Sequence, residues 1–358
     1  MARVGVAFGG RSVEHQVSIR SARTVIGALQ AAGHEVVPLG IAQNGRWLDQ
    51  AVSQRAVDGD FDTLGVVEEP LAPTLENLLD SSIEVLFPVV HGTWGEDGTL
   101  QGLCEMLDLP YVGAGVGASS LAMDKVLCKR QLESYGLPVV EYGSVSRSSF
   151  EADPERALKE LPELPFPVFV KPSVGGSSVG VRKIAGPEEL PAAIAFALGF
   201  DNTALVERGI SGRELECSVL GDQQLQASAV GEIHPGNPFY DYEDKYLLDA
   251  AELKIPADLP SGLAERIRSL AVESFAAIGG HGMARVDFLL EGETRIFINE
   301  INTLPGFTSI SMYPKLWEEA GLSLPELVDR LVEIATSVHR RRRSLDEGIK
   351  DWLGQLEG

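Results

Sequence analysis

Four short apolar runs punctuate the first 116 residues, with helical stretches between them. They are RVGVAF at 3–8, HEVVPLGI at 34–41, IEVLFPVVHG at 83–92 and LPYVGAG at 109–115. A helix is predicted over about 17–32, after the GG pair at 9–10. Strands that alternate with helices pair in parallel, because a parallel neighbour can be reached only through a crossover. A parallel-sheet α/β domain is therefore expected over residues 1–116.

The chain has 358 residues, enough for two or three cores. Lys plus Arg number 30 against 52 Asp plus Glu, a net charge of −22. That balance argues against nucleic acid or an anionic membrane as a partner, and any anionic substrate must meet a local cluster of cations. The basic run Arg340 to Arg343 is the exception, and reads as a solvated helix end favoured by the helix dipole. The cysteines, Cys104, Cys128 and Cys217, are far apart and form no CxxC pair, so neither disulfide nor zinc site is expected. The N-terminus lacks a signal-like apolar region and no run is long enough to span a bilayer, so a soluble, cytoplasmic protein is expected.

Beyond 116 the pattern changes. A helix is predicted over 118–135, ended by Gly136 and Pro138. FPVFVKPSVGGSSVGVRKI reads as strand, glycine-rich turn, strand, a hairpin whose turn could lie over a ligand. PEELPAAIAFAL is a helix and TALVERGI a strand, completing a unit over 117–206. A second unit, 207–340, opens with the strands RELECSVLG and QASAVGEI. The loop 234–256 follows, long and tyrosine-rich, and reads as a lid. A helix over 260–278, the strands of GMARVDFLL and TRIFINEINTLPGF, and an amphipathic helix over 324–339 come next; 341–358 is left as a tail.

The late strands carry the strongest chemical signal. Arg285 and Asp287 are two apart, as are Glu300 and Asn302, so each pair shares one face of a strand. Val286, Phe288, Phe297 and Ile301 suit the opposite, buried face. Paired as a hairpin across 291–293, these strands bring Asp287, Glu300 and Asn302 together as hard oxygen ligands suited to magnesium on a nucleotide. A polar, solvated sheet face would show the same alternation. The TLPGF turn that follows favours the site, because it exposes backbone N–H groups beside the carboxylates.

Lys125, Lys171 and Lys245 are each unremarkable as surface lysines. With Arg285 they could neutralise a triphosphate. The 175–180 loop offers N–H donors and serine hydroxyls, including Ser178. It is not a Walker A loop, and GG at 9–10 does not make GxGxxG. Glu207 and Glu214 flank RGISGR and suit a ribose hydroxyl or, equally, a solvated surface. His91 lies at the C-terminal end of a strand, where open parallel sheets bind ligands, though a structural role suits it as well.

The chain resembles the D-alanine–D-alanine ligase family of the ATP-grasp superfamily from residue 3 to about 337. The motifs occur in family order: GGRSVEHQVS, HGTWGEDGTLQG, MDK, VKPSVGGSSVG, GRELECSVLG, FYDYEDKY, ARVDFLL and NEINTLPGFTS. The resemblance implies an ATP-grasp fold, with an N-terminal parallel-sheet α/β domain and two α+β domains that sandwich ATP. It implies phosphate contacts at Lys125 and Lys171, adenine and ribose contacts at Glu207 and Glu214, and magnesium ligands at Asp287, Glu300 and Asn302. Glu14 matches the acid that holds the first D-alanine's ammonium group, linked through Ser177 to Tyr246 of the lid. Lys245 matches a lid lysine near the transferred phosphate. Arg285 and the Gly306 amide match donors to the tetrahedral centre, Ser311 a contact to the second substrate's carboxylate, and His91 a histidine close to the first substrate. The implied partners are ATP, two D-alanines and two magnesium ions, with manganese able to replace them, in a homodimer. Lys245-Tyr246 resembles the D-alanine-using type. A ligase for D-lactate or D-serine is the nearest alternative. A non-catalytic ATP-binding protein and a dinucleotide-binding oxidoreductase are others.

Overall fold

The computed structural model describes residues 1–59, 64–66, 82–234 and 252–356. Its strands form three sheets, each built from a contiguous part of the chain. The first is parallel, in the order β2-β1-β3, from Arg3–Gly9 (β1), Glu35–Ile41 (β2) and Val85–Pro88 (β3). Both faces are covered, which explains why these strands read as nearly continuous apolar runs. Val4, Val6, Phe8 and Phe87 pack on one face against the helix His15–Ala31 and against Leu327, Leu331 and Val338 near the C-terminus. Ala7, Leu39 and Leu86 pack on the other with Leu100 and Cys104 of the helix Thr99–Met106. The run at 109–115 contributes a single bridge, Leu86 to Tyr111, rather than a full fourth strand. Pro110 has no N–H to donate, and Gly113 (φ 110°) turns the chain away.

The second sheet has the order β4-β7-β5-β6, from Tyr142–Ser146 (β4), Val168–Pro172 (β5), Arg182–Ile184 (β6) and Thr203–Arg208 (β7). The strand–turn–strand pattern is the antiparallel β5–β6 hairpin. Val168, Val170, Ala204 and Val206 face a core with Ala193, Ile194 and Ala197 of the helix Leu190–Ala197. Alternation therefore leaves Phe169, Lys171 and Glu207 on the opposite face.

The helix expected over 118–135 is two helices, Val116–Met123 and Lys125–Ser134. Asp124 (φ −88°, ψ 102°) breaks them, and its carboxylate caps the second by accepting from the N–H groups of Val126 and Leu127. The break also ties the helix to β5's exit, through Lys125 N–H to the Ser173 carbonyl at 2.9 Å.

The third sheet is antiparallel, in the order β10-β9-β8-β11-β12. Its strands are Gly212–Gly221 (β8), Leu225–His234 (β9), Glu252–Lys254 (β10), Gly282–Glu291 (β11) and Arg295–Asn302 (β12). Leu215, Cys217, Val286 and Phe288 pack against Ile267, Leu270 and Phe275 of the helix Leu263–Ala277. The ends of the expected lid are strand, because Glu252–Lys254 pairs with Glu232–His234. Lys245 and Tyr246 lie outside the described residues.

Two further expectations are corrected. Phe297 does not share the buried face with Phe288. Asp287 pairs with Glu300 but Phe288 with Ile298, so a bulge at Asn299 puts Phe297 opposite Leu289. There Arg208 and Arg295 each lie 5.4 Å from its ring. The basic run is not a helix end either. The last helix spans Leu324–Leu356 and carries the arginines through its middle. Three of the four meet acids instead of solvent alone: Arg341 pairs with Asp222, Arg342 with Glu105, and Arg343 lies 3.7 Å from Asp108. Among the described residues, no helix is long and apolar enough to cross a membrane.

Candidate active site

A cavity of about 1460 Å³ opens between the three sheets. All fourteen predicted site residues that the structure describes line it. They reach it from three directions: Glu14 and His91 from the ends of the first sheet, Lys171 and Glu207 from the second, Arg285 and Asp287 from the third.

Glu14 is the N-cap residue of the helix His15–Ala31, yet its side chain makes no cap hydrogen bond. Its carboxylate instead accepts from Ser177 Oγ at 2.6 Å, joining the first sheet to the glycine loop. That loop approaches closely, since a Cβ on Gly176 would sit 3.4 Å from Glu14 Oε2. Ser177 (φ 52°) and Ser178 (φ 58°) both hold left-handed backbone, in a tight turn closed by Val179 N–H donating to the Gly176 carbonyl at 3.2 Å.

His91 is buried beside Glu14. Its Nε2 is 2.9 Å from Ser21 Oγ, its Nδ1 3.1 Å from the Leu304 carbonyl and 3.6 Å from Glu96. Burial pulls its pKa down, but the hydrogen bond and charge of Glu96, with the charge of Glu14, win and raise it. Glu96 is itself raised, by burial first and by Glu14 as well. Two carboxylates and an imidazole thus share one pocket. Sequence reasoning missed Glu96, although it stands five residues after His91 in the same motif.

The cations gather on the second sheet's open face. Lys125 donates to the Gly175 carbonyl at the loop's start. Lys171 pairs with Glu207, and Lys129, also missed, lies 3.1 Å from the other oxygen of that carboxylate. Burial opposes ionisation of Glu207, but the two lysines overcome it and hold the pKa at about 2. Glu207 is therefore an ion-paired residue at the cavity floor and not a solvated surface glutamate. Glu214 lines the same cavity from β8.

On the third sheet, Asp287 and Glu300 are cross-strand partners, with Asn302 opposite Arg285. Arg285 forks onto both oxygens of Asp287 at 2.7 Å each and also reaches Glu216 at 3.0 Å. Burial disfavours its charge, but Asp287, Glu216 and Glu300 raise its pKa well above the ordinary value. Among the described residues, no three His, Cys, Asp or Glu side chains form a metal cluster. Two carboxylates and an amide do fit a cation that draws its remaining oxygens from phosphate. Asn302 Oδ1 accepts from Leu304 N–H at 3.1 Å, which fixes the turn leading to Gly306. A Cβ on Gly306 would lie 2.8 Å from Ser311 Oγ, so a side chain there would have to displace that hydroxyl. Ser311 is held by the N–H of Thr308 at 2.9 Å.

The architecture has close relatives. Family models described as D-ala D-ala ligase N-terminus and D-ala D-ala ligase C-terminus match residues 3–114 and 131–333. A D-alanine–D-alanine ligase of Solibacter usitatus is 48% identical over 342 residues, covering 95% of this chain and 97% of that protein. One from Natranaerobius thermophilus is 42% identical, with 98% of both covered. Among solved structures, the D-alanine-D-alanine ligase from Coxiella burnetii superimposes with a TM-score of 0.82 at 33% identity, covering 100% of this chain and 99% of that one. The VanG D-Ala:D-Ser ligase from Enterococcus faecalis gives 0.78 at 33% identity, covering 93% and 99%. The fold is the ATP-grasp fold that the resemblance implied, and the chain belongs to the D-alanine–D-alanine ligase family.

Proposed function

We propose that the protein joins two D-alanines into D-alanyl-D-alanine for peptidoglycan precursor synthesis, converting ATP to ADP and phosphate through a D-alanyl phosphate. One observation carries this reading: a single cavity holds the Ser177-bonded Glu14, the lysines at 125 and 171, and the Arg285, Asp287 and Glu300 cluster. Glu14 anchors the first D-alanine's ammonium group, with His91 beside it. The carboxylate of that D-alanine attacks the γ-phosphate, and Lys125, Lys171 and Ser178 offset the charge on the phosphates. Glu207 and Glu214 flank the adenosine. Arg285 and the Gly306 N–H stabilise the tetrahedral centre formed when the second amine attacks, and Ser311 contacts the second carboxylate. Lys245 and Tyr246 act from the lid, whose closure keeps water from the acyl phosphate.

The ATP-dependent ligases of this family use a divalent metal. Asp287, Glu300 and Asn302 would hold two magnesium ions, replaceable by manganese, whose positive charge stabilises the transferred phosphoryl group. The chain divides into an N-terminal domain over 1–116 and ATP-grasp units over 117–206 and 207–340, with the lid at 234–256; residues from 341 on continue the last helix. The protein works as a cytoplasmic homodimer. Incubation with ATP and D-alanine alone is expected to release ADP and dipeptide together. No ADP and no dipeptide would overturn the proposal. Product only when D-serine or D-lactate is added would favour the second reading, a ligase specific for one of those acceptors.

A further inference from the structure

Lys129 is the most deeply buried lysine among the described residues, at 2% exposure. It follows Lys125 by one turn on the helix Lys125–Ser134. Unlike Lys125, Lys171 and Glu207, it does not line the cavity, so it cannot itself meet a ligand there. Its Nζ is 3.1 Å from one oxygen of Glu207, outside hydrogen-bonding alignment, and 5.6 Å from the Tyr142 ring. Lys171 takes the other oxygen. Two ammonium groups and one carboxylate leave one net positive charge at the cavity floor.

A buried carboxylate holds a single partner tightly, because releasing that partner strands a charge in low dielectric. With Lys171 alone, Glu207 would form such a closed pair and withdraw Lys171 from any other anion. With Lys129 behind it, Glu207 keeps a counter-ion whatever Lys171 does. We infer that Lys129 is a positioning residue, the permanent counter-ion of Glu207, and that it leaves the charge of Lys171 available to nucleotide phosphate. This rests on the reading of Lys171 as a phosphate contact.

The test compares the affinities of adenosine, ADP and ATP for the full chain by calorimetry, with D-alanine absent. Lys129→Met is expected to weaken ATP about tenfold, the worth of one charge-assisted contact, ADP less, and adenosine under about twofold. Lys129→Arg restores most of the loss. Lys129→Met combined with Glu207→Gln removes both charges and restores the preference for ATP over adenosine, even if the single variant folds poorly. Equal losses for all three ligands in the Met variant, or no loss, would overturn the inference. So would a lost ATP preference in the folded double variant. Lys171→Met separates the two readings: an unchanged ATP preference there refutes Lys171 as a phosphate contact. A collapsed preference there beside a normal one in Lys129→Met refutes the role of Lys129 alone.

Discussion

Replacing Ser177 by alanine removes the 2.6 Å bond to Glu14 that joins the first sheet to the glycine loop. A hydrogen bond to a charged acceptor is worth about 1.5–3 kcal/mol. Glu14 is only 9% exposed, so water does not freely take the place of the lost donor. If Glu14 holds the first D-alanine, the loss reaches the transition state as misplacement of the substrate. At about 1.4 kcal/mol per tenfold, kcat/KM for D-alanine falls roughly 10- to 150-fold. Steady-state ADP release at limiting D-alanine measures it. Ser177→Gly separates the bond from the backbone. Glycine relieves the left-handed φ of 52°, worth about 1–2 kcal/mol against about 0.4–1 kcal/mol of added chain entropy. It should show the alanine variant's kinetics with a higher unfolding midpoint. An alanine variant within twofold of the parent, or a glycine variant with restored activity, would refute the role given to this bond.

Asp124→Ala uncaps the helix that begins at Lys125 and should cost about 1–2 kcal/mol in urea unfolding while raising KM for ATP. Glu207 contributes stability above its unfolded pKa, because its folded value is depressed from 4.5 to about 2. Unfolding free energy should therefore fall as pH drops from 4.5 toward 2, and Glu207→Gln should flatten that part of the profile. Arg341→Ala with Arg342→Ala should lower Tm at low salt by an amount that shrinks in about 0.5 M salt, where the Debye length is about 4 Å, since half-exposed ion pairs are worth about 1 kcal/mol or less.

The sequence makes the cavity's lining legible because strand alternation is local. Arg285 with Asp287 and Glu300 with Asn302 need only the period of two, and their convergence needs only a short hairpin. Phe297 is misplaced by the same rule, because a bulge at Asn299 leaves no mark in an apolar run. Lys129 reads as one more charge on an amphipathic helix. Its burial follows from Glu207, 78 residues away, and no periodicity reports such a partner. The break at Asp124 could have been read from an N-cap residue directly before Lys125, but the surrounding pattern is continuous helix. The arginines of the last helix look like a terminus until Glu105, Asp108 and Asp222 are brought beside them by the packing of the first and third sheets.

The central claim is that a carboxylate of D-alanine is phosphorylated in this cavity before the second amine attacks. D-Alanine labelled with ¹⁸O in its carboxylate, turned over with ATP, tests it directly by mass spectrometry of the released phosphate. Attack on the γ-phosphate predicts one ¹⁸O in each inorganic phosphate formed with dipeptide. Dipeptide accompanied by unlabelled phosphate would contradict the account.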